Sequence, residues 1–529
     1  MFYIFLNIIL VYKIILLINY NMNIYYIFYL LFLLINIGNT ISNNSINNNI
    51  ENTEQDDWDN ATWVLTSSFI IITMQSGFGL LESGLVSNKN QIHIMVKNMT
   101  DILFGGLTFW IFGYAFIFSN NSNGFIGLKD FFTDKNNNYG WLFSNFFFQF
   151  TFSTTATTIV SGCLAERTNY KAYIIFSALN TFIYSLPANW IWNNNGWLYK
   201  LGVVDFAGCG PVHLTGGLTG LVGTIMLGPR KNIQPSNSYV NAIFGLFMLW
   251  WGWLGFNCGS TFGITNDKWL YASKAAVTTV LSSVGGGVFS IFYSYFIYDN
   301  KYPIEILING ILGALVSITG CCIYVKTSES IFIGVIGALI SIKSNDLLKY
   351  LNIDDPVGAI GVHFFGALWG LLSCGFFVEN INSLNVNNGL FYGGGFYLLG
   401  IQLLEILSIS LWTIIMSYIF FKLIDIIVGL RISEEEELIG ADIIYHIIEN
   451  NEIETEINKD DIIYDTEYIP EINEFKIEEN EFKIEENKFE KKENKKENEN
   501  EKKKECDNCI KEVIINPENT EIKHPFGVQ

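Results

Sequence analysis

The sequence predicts an all-α polytopic membrane protein: eleven transmembrane helices in a five-plus-five inverted repeat, followed by a disordered cytosolic tail. Composition is the first reason. Half of the 529 residues are hydrophobic, 16% are aromatic and mean hydropathy is +0.29, which excludes an ordinary soluble globular chain. A repeated spacing is the second. Asp205-Phe-Ala-Gly-Cys-Gly-Pro-Val-His213 and Asp355-Pro-Val-Gly-Ala-Ile-Gly-Val-His363 each reach a histidine eight positions after an aspartate, in a chain with only five histidines. Parity is the third. The first segment opens the fifth span and the second opens the tenth, so an odd number of spans separates two units of opposite orientation, as in many transporters.

In chain order, residues 1–37 are apolar with one charge, Lys13, and read as a signal sequence, a signal anchor or an extra span. Residues 38–57 form an exposed polar segment. Asn60-Ala-Thr62 is a glycosylation acceptor pattern if this end lies outside. The membrane domain covers 58–430, with spans at about 61–86, 100–118, 141–163, 172–191, 206–227, 239–259, 271–298, 304–324, 330–343, 357–377 and 392–428. One set of loops and span ends carries Lys89, Lys97, Arg167, Lys171, Arg230, Lys231, Lys301, Lys343, Lys349, Lys422 and Arg431. The other carries Lys129, Lys135, Lys200, Lys268, Lys274 and Lys326. The richer set belongs in the cytoplasm, and the C-terminus with it. Residues 431–450 form a cytosolic region and 451–529 a charged tail, which holds most of the net charge of −20. Its repeat Glu474-Phe-Lys-Ile-Glu-Glu-Asn480 lacks coiled-coil spacing, and a lone Cys506-x-x-Cys509 is too little for a zinc site.

An Asp N-cap, with Pro356 at the first helical position, would set each histidine roughly 12 Å into its helix, near the middle of a hydrocarbon layer about 30 Å thick. Helices entering from opposite sides would bring His213 and His363 together, and ionisable groups inside a membrane are usually functional. A bis-His haem or metal site would need further ligands, and no additional Cys, His or carboxylate cluster is apparent in the core spans. A polar line for a small uncharged solute fits better, since a neutral imidazole offers one donor and one acceptor. Phe148-Gln149-x-x-Phe152 puts two rings on one face of span three. Trp250-Trp-Gly-Trp-Leu-Gly-Phe256-Asn-Cys-Gly-Ser260 closes span six, and Trp192 closes span four on the same side. By composition alone these are interfacial aromatics.

Asp205-Phe-Ala-Gly with His213, Gly-Phe256-Asn-x-Gly-Ser260, Ala165-Glu-Arg167, Asp354-Asp-Pro-Val-Gly-Ala-Ile-Gly-Val-His363 and Leu430-Arg-Ile-Ser-Glu-Glu-Glu-Glu437 with Gly440 and Asp442 resemble the ammonium transporter family, which is related to the Rh glycoproteins. The resemblance runs from about Trp58 to His446. It implies a transporter rather than an enzyme: an eleven-span protomer in a plasma-membrane homotrimer, with one pore per subunit. Ammonium or ammonia, with methylammonium, would be the substrate and the lipid bilayer the surroundings; no cofactor, metal or nucleic acid is implied. By the same resemblance, Trp192, Phe152 and Ser260 form an outer recruitment site, Phe152 and Phe256 a stacked gate, and Phe148 and Gln149 the adjoining pore wall. His213 and His363 are the twin pore histidines, and Asp205 and Asp355 supply structural charge. Two alternatives stay open: an ammonium sensor signalling through the tail, and an Rh-like channel for ammonia and carbon dioxide. The Asp-Phe-Ala-Gly stretch and the Trp/Ser site favour the ammonium-transporter branch.

Overall fold

The computed structural model describes residues 54–133, 139–235, 238–380 and 386–446. The readings of 1–37, of most of 38–57 and of the tail from 451 onward lie outside the described residues. Those described are helical, apart from loops and one isolated bridge between Thr168 and Arg431. The order is α1 (Glu54–Leu85), α2 (Asn88–Phe118), α3 (Tyr139–Cys163), α4 (Tyr170–Trp192) and the short α5 (Trp197–Leu201). Helix α6 begins as a π-helical stretch, Cys209–Leu214, and continues as Thr215–Leu227. There follow α7 (Tyr239–Gly259), α8 (Lys268–Ile297), α9 (Ile304–Thr319), α10 (Thr327–Tyr350) and α11 (Gly361–Phe377), which also opens in π geometry. Helix α12 (Tyr397–Val428) and the short α13 (Glu434–Ile439) and α14 (Ala441–His446) complete the described chain.

Seven of these helices are long and apolar enough to cross a membrane: α1, α2, α4, α7, α8, α10 and α12. Helices α9 and α11 are apolar but shorter. Helix α3 runs through Thr151, Ser153, Thr154, Thr155, Thr157, Thr158 and Ser161, all buried; those hydroxyls lower its hydropathy, and Thr151, Thr154, Thr155 and Thr157 bond back to the helix's own carbonyls, as Thr155 does to Thr151 at 2.8 Å.

Helix pairs meet where side chains are small. Helix α1 packs along α7, and the approach is close: a Cβ on Gly84 would lie 2.4 Å from the Ala242 nitrogen and one on Gly245 2.3 Å from the Leu81 nitrogen. Backbone contact of this kind is how helices associate when burial from water supplies no drive.

At one end, four loops are tied by charge. Arg230 reaches Asp354 with Nε at 2.8 Å and Nη2 at 2.9 Å, and Glu166 with Nη1 at 3.4 Å. Glu166, held at φ 70°, accepts from the Ser87 nitrogen at 2.8 Å. The buried Arg167 donates to the carbonyls of Ala165, Gly228 and Asp354. Helices α13 and α14 dock at this end. Asp442 accepts from the Ile92 and His93 nitrogens at 3.1 and 2.7 Å, and Glu437 accepts from Arg431 at 2.7 Å.

Two sequence expectations change here. Lys97 is no loop residue: it is 1% exposed inside α2, with Nζ donating to the Ser161 carbonyl at 2.9 Å and lying 4.3 Å from the Tyr173 ring centre. It therefore leaves the basic-loop count. Asn60 is no open glycan acceptor either. It is 6% exposed, and its Oδ1 accepts from the Ile264 and Thr265 nitrogens and the Thr265 hydroxyl at 2.9, 3.2 and 3.1 Å. Asn60→Gln is expected to leave the electrophoretic mobility of the expressed protein unchanged. It should also destabilise the fold by about 1–3 kcal/mol, because the loop nitrogens lose their acceptor. Loss of a glycosidase-sensitive band in that variant would contradict the burial.

Candidate functional site

The two Asp/His segments fold alike. Asp205 Oδ1 accepts from the Gly208 nitrogen at 3.0 Å and from Cys209 at 2.7 Å, while Oδ2 accepts from Gly210 at 2.7 Å. Asp355 Oδ1 accepts from the Gly358 nitrogen at 3.1 Å and Oδ2 from Ile360 at 2.7 Å. In both, the third residue after the aspartate is a glycine in the left-handed region, Gly208 at φ 88° and Gly358 at φ 74°. A side chain there would be strained. The capping therefore differs from the expected form. Each aspartate sits ahead of a non-helical turn and reaches across it to the first helical nitrogens, and Pro356 lies in that turn instead of opening the helix. Helical rise consequently accounts for only part of the separation between each aspartate and its histidine.

Both histidines fall in the π-helical openings of α6 and α11, and they meet. His213 Nδ1 lies 3.1 Å from His363 Nδ1, and the rings are nearly parallel with centres 5.2 Å apart. His213 is fully buried and His363 is 3% exposed. His213 Nε2 is buried with no hydrogen-bond partner among the described residues.

Aromatic rings continue in file from this pair. His213 stacks on Trp253 at 5.1 Å and touches Phe256 at 5.6 Å. Phe256 stacks on Phe152 with centres 3.9 Å apart and planes within 9°. Phe152 meets Phe148 at 4.8 Å and Trp192 at 5.9 Å. On the other side, His363 contacts Phe78 at 6.0 Å. The predicted gate, wall and histidine residues are thus brought into one line, supplied by α1, α3, α4, α6, α7 and α11.

Beyond Phe152 the line opens into a cavity of about 460 Å³ whose lining includes Trp192, Gln149, Asp205, Ser260, Trp141 and Phe262. Trp192 donates to the Asp205 carbonyl at 3.2 Å, which fixes the indole at its rim. Ser260 donates to the Phe256 carbonyl at 2.9 Å, so its hydroxyl oxygen keeps lone pairs for a ligand. Gln149 Oε1 is buried without a partner among the described residues. A second cavity of about 520 Å³ lies beside Asp355, with Arg230, Asn309, Asn345, Lys349 and Asp354 in its lining. The predicted residues Asp205 and Asp355 therefore border different cavities.

Several contributors escaped the sequence reading. Trp253 lies three positions before Phe256, on the same face of α7, and that offset was the available signal. Phe262, at φ 48°, lines the first cavity and packs on Phe148 at 5.0 Å. The sequence reading also singled out none of three buried charged residues as candidate site residues: Glu82 accepts from Asn98 at 2.8 Å, and Asp101 accepts from Tyr173 at 2.8 Å and from Ser177, with the buried Lys97 beside them. Among the described residues, no group of three or more His, Cys, Asp or Glu side chains could hold a metal ion.

A family model described as Ammonium Transporter Family matches residues 62–451. Putative ammonium transporter 3 of Caenorhabditis elegans is 42% identical over 411 residues, covering 73% of this chain and 60% of the relative. This chain thus spans less than two thirds of that relative's length. Ammonium transporter 3 of Dictyostelium discoideum is 35% identical over 401 residues, covering 72% of this chain and 92% of the relative. Among solved structures, a sensor Amt protein superposes with a TM-score of 0.69 at 30% identity, covering 74% of this chain and 99% of its own. The crystal structure of Candida albicans Mep2 gives 0.67 at 27%, covering 73% and 89%.

Proposed function

The chain belongs to the ammonium transporter family, and from that premise we propose that it moves ammonium across a membrane as ammonia, along the line of rings that leads from the 460 Å³ cavity to the histidine pair. Ammonium is gathered at Trp192, Phe152 and Ser260, where ring faces attract a cation and a hydroxyl oxygen accepts a hydrogen bond from it. Beside the stacked Phe152 and Phe256 it gives one proton to water in that cavity, and ammonia passes along His213 and His363. Magnitudes favour this order. A bare small cation entering dry hydrocarbon faces an idealised penalty on the order of 20 kcal/mol. Removing a proton from an amine of lysine-like pKa at pH 7 costs about 4–5 kcal/mol. A potassium ion has no proton to leave behind and is refused.

The observation that carries the reading is the buried Nε2 of His213, unpartnered beside a closed pair of phenylalanines. An unmet acceptor or donor inside an apolar line is costly, and a passing ammonia satisfies it. The test is growth of a host lacking its own ammonium permeases on limiting ammonium. Rescue is expected; a chain that reaches the surface and gives no rescue would defeat the proposal.

The finer architecture belongs to the same proposal. Eleven spans are counted by adding α3, α6, α9 and α11 to the seven long apolar helices. The matched turns at Asp205 and Asp355 support the five-plus-five repeat, with 58–430 as the membrane domain. We place the C-terminus in the cytosol, the protein in the plasma membrane, and three copies in a homotrimer. In that trimer 431–450 couples pores, and Glu437, which accepts from the Lys231 nitrogen and Arg431, is the anchor of the segment. A sensor reading is favoured by one finding, the likeness to a sensor Amt protein. Deletion after Asn451 separates the two: uptake survives in both, and only a sensor loses a downstream response.

A further inference from the structure

Behind Asp205 stands a second carboxyl group. Glu405, on α12, is fully buried. A Cβ built on Gly210 would lie 2.7 Å from Glu405 Oε1 and 3.2 Å from Asp205 Oδ2, so both oxygens crowd one point. The two carboxyl groups are therefore close neighbours inside the protein.

Counting donors shows where a proton must sit. Gln402 is fixed by Val204: the Val204 nitrogen donates to its Oε1 at 3.0 Å, and its Nε2 donates to the Val204 carbonyl at 2.9 Å. The other Nε2 hydrogen goes to Glu405 Oε2 at 2.8 Å. That makes Oε2 the acceptor oxygen of Glu405. Oε1 is buried and has no donor aimed at it among the described residues. On Asp205, Oδ1 takes two backbone N–H groups and Oδ2 only one, which leaves a lone pair on Oδ2 beside Glu405. Two carboxylates this close in an apolar setting do not both stay ionised. Three N–H donors favour the charge on Asp205, and nothing comparable favours it on Glu405.

We propose that Glu405 stands protonated and donates from Oε1 to Asp205 Oδ2, acting as a positioning residue for the outer recruitment site. It holds Asp205 as a single, fully hydrogen-bonded negative charge at the wall of the 460 Å³ cavity. The functional part of this inference rests on the reading of that cavity as the recruitment site. The state of the proton does not.

Two measurements on the full-length chain test it. In the infrared spectrum of purified protein, wild type minus Glu405→Gln should show the carbonyl stretch of a protonated carboxylic acid, shifting on exchange into heavy water. A difference spectrum with only ionised carboxylate bands would overturn the proposal, whether or not the protein transports anything. For methylammonium uptake, Glu405→Gln keeps a donor and removes no charge, so its KM should stay within about twofold of wild type, since an interaction kept in place changes no binding energy. Glu405→Leu removes the donor and should raise KM about fivefold or more, as for loss of a hydrogen bond to a charged group. A KM raised as far by Gln as by Leu would mean that a full charge had been lost, and the proposal would fail.

Discussion

His213→Ala should abolish growth on limiting ammonium while the protein still reaches the membrane. The imidazole is fully buried, with Trp253 stacked on one side, Phe256 near one edge and His363 Nδ1 at 3.1 Å. Truncation does three things. It removes the unpartnered Nε2 offered to ammonia. It strips His363 of its hydrogen-bond partner inside an apolar line, at about 1–3 kcal/mol. It also leaves a void into which Trp253 and Phe256 can relax, so the stack at 3.9 Å loses a neighbour. If the passing solute feels only the hydrogen-bonding part, the barrier rises enough to slow flux by about tenfold or more. Uptake of methylammonium by a normally expressed variant is the direct measurement. Selective uptake at the wild-type rate would remove the histidine pair from the path. His363→Ala makes the same prediction more weakly, because among the described residues His363 has only Phe78 and His213 as ring neighbours.

The site was legible in the sequence where its parts lie close along the chain. The Asp-to-His spacing occurs twice and survives as twin turns, twin left-handed glycines and twin π-helical openings. Phe148 and Phe152 are one turn apart, so their shared face follows from helix geometry alone. What the spacing could not give was the turn itself. Asp205 and Asp355 read as N-caps because Asp is a good cap, yet a glycine three residues on interrupts the helix and the carboxylate spans the break.

Residues whose meaning depends on partners from distant segments were illegible. Glu405 is a lone acid in a long apolar run, and only the fold brings it to Asp205, 200 positions earlier. Lys97 looks like a span-end lysine until Tyr173 and Ser161 close over it. Trp253 hides in a tryptophan-rich run where interfacial residues are common, and stacking on His213 sets it apart from Trp251, which is 54% exposed. Helix lengths show the same limit. Span ten was expected to begin at 357 and span nine to end at 343, whereas α10 continues to Tyr350 through Lys343, Asp346 and Lys349. Charge ends a hydrocarbon crossing without ending a helix.

The second large effect is on stability and sits at the other end of the path. Arg230→Ala should lower the melting temperature of the detergent-solubilised protein by several degrees and reduce flux as well. Arg230 grips both oxygens of Asp354 and also touches Glu166. Its side chain is 9% exposed, against 13% for Asp354 and 2% for Glu166. Removing it strands two carboxylates in a partly dry site, and about 3 kcal/mol is the expected loss, near the low end for a broken buried pair because water still reaches Asp354. Acidity supplies a sign. Burial alone would raise the Asp354 carboxyl, but the Arg230 hydrogen bonds and charge outweigh it and hold the group below its ordinary value. Such a group stabilises the fold above its unfolded value of about 3.9 and loses that contribution as pH falls through the lower folded value. The gap between wild type and Arg230→Ala should therefore be full at neutral pH and close only in strong acid. Flux falls too because Asp354 is bonded in sequence to Asp355, whose carboxylate starts the turn that carries His363. Arg230→Lys should recover little, since an ammonium cannot span both oxygens of Asp354 and Glu166 together. Equal melting temperatures for wild type and Arg230→Ala at neutral pH would show that the four loops are held by packing, and that this charge network is incidental.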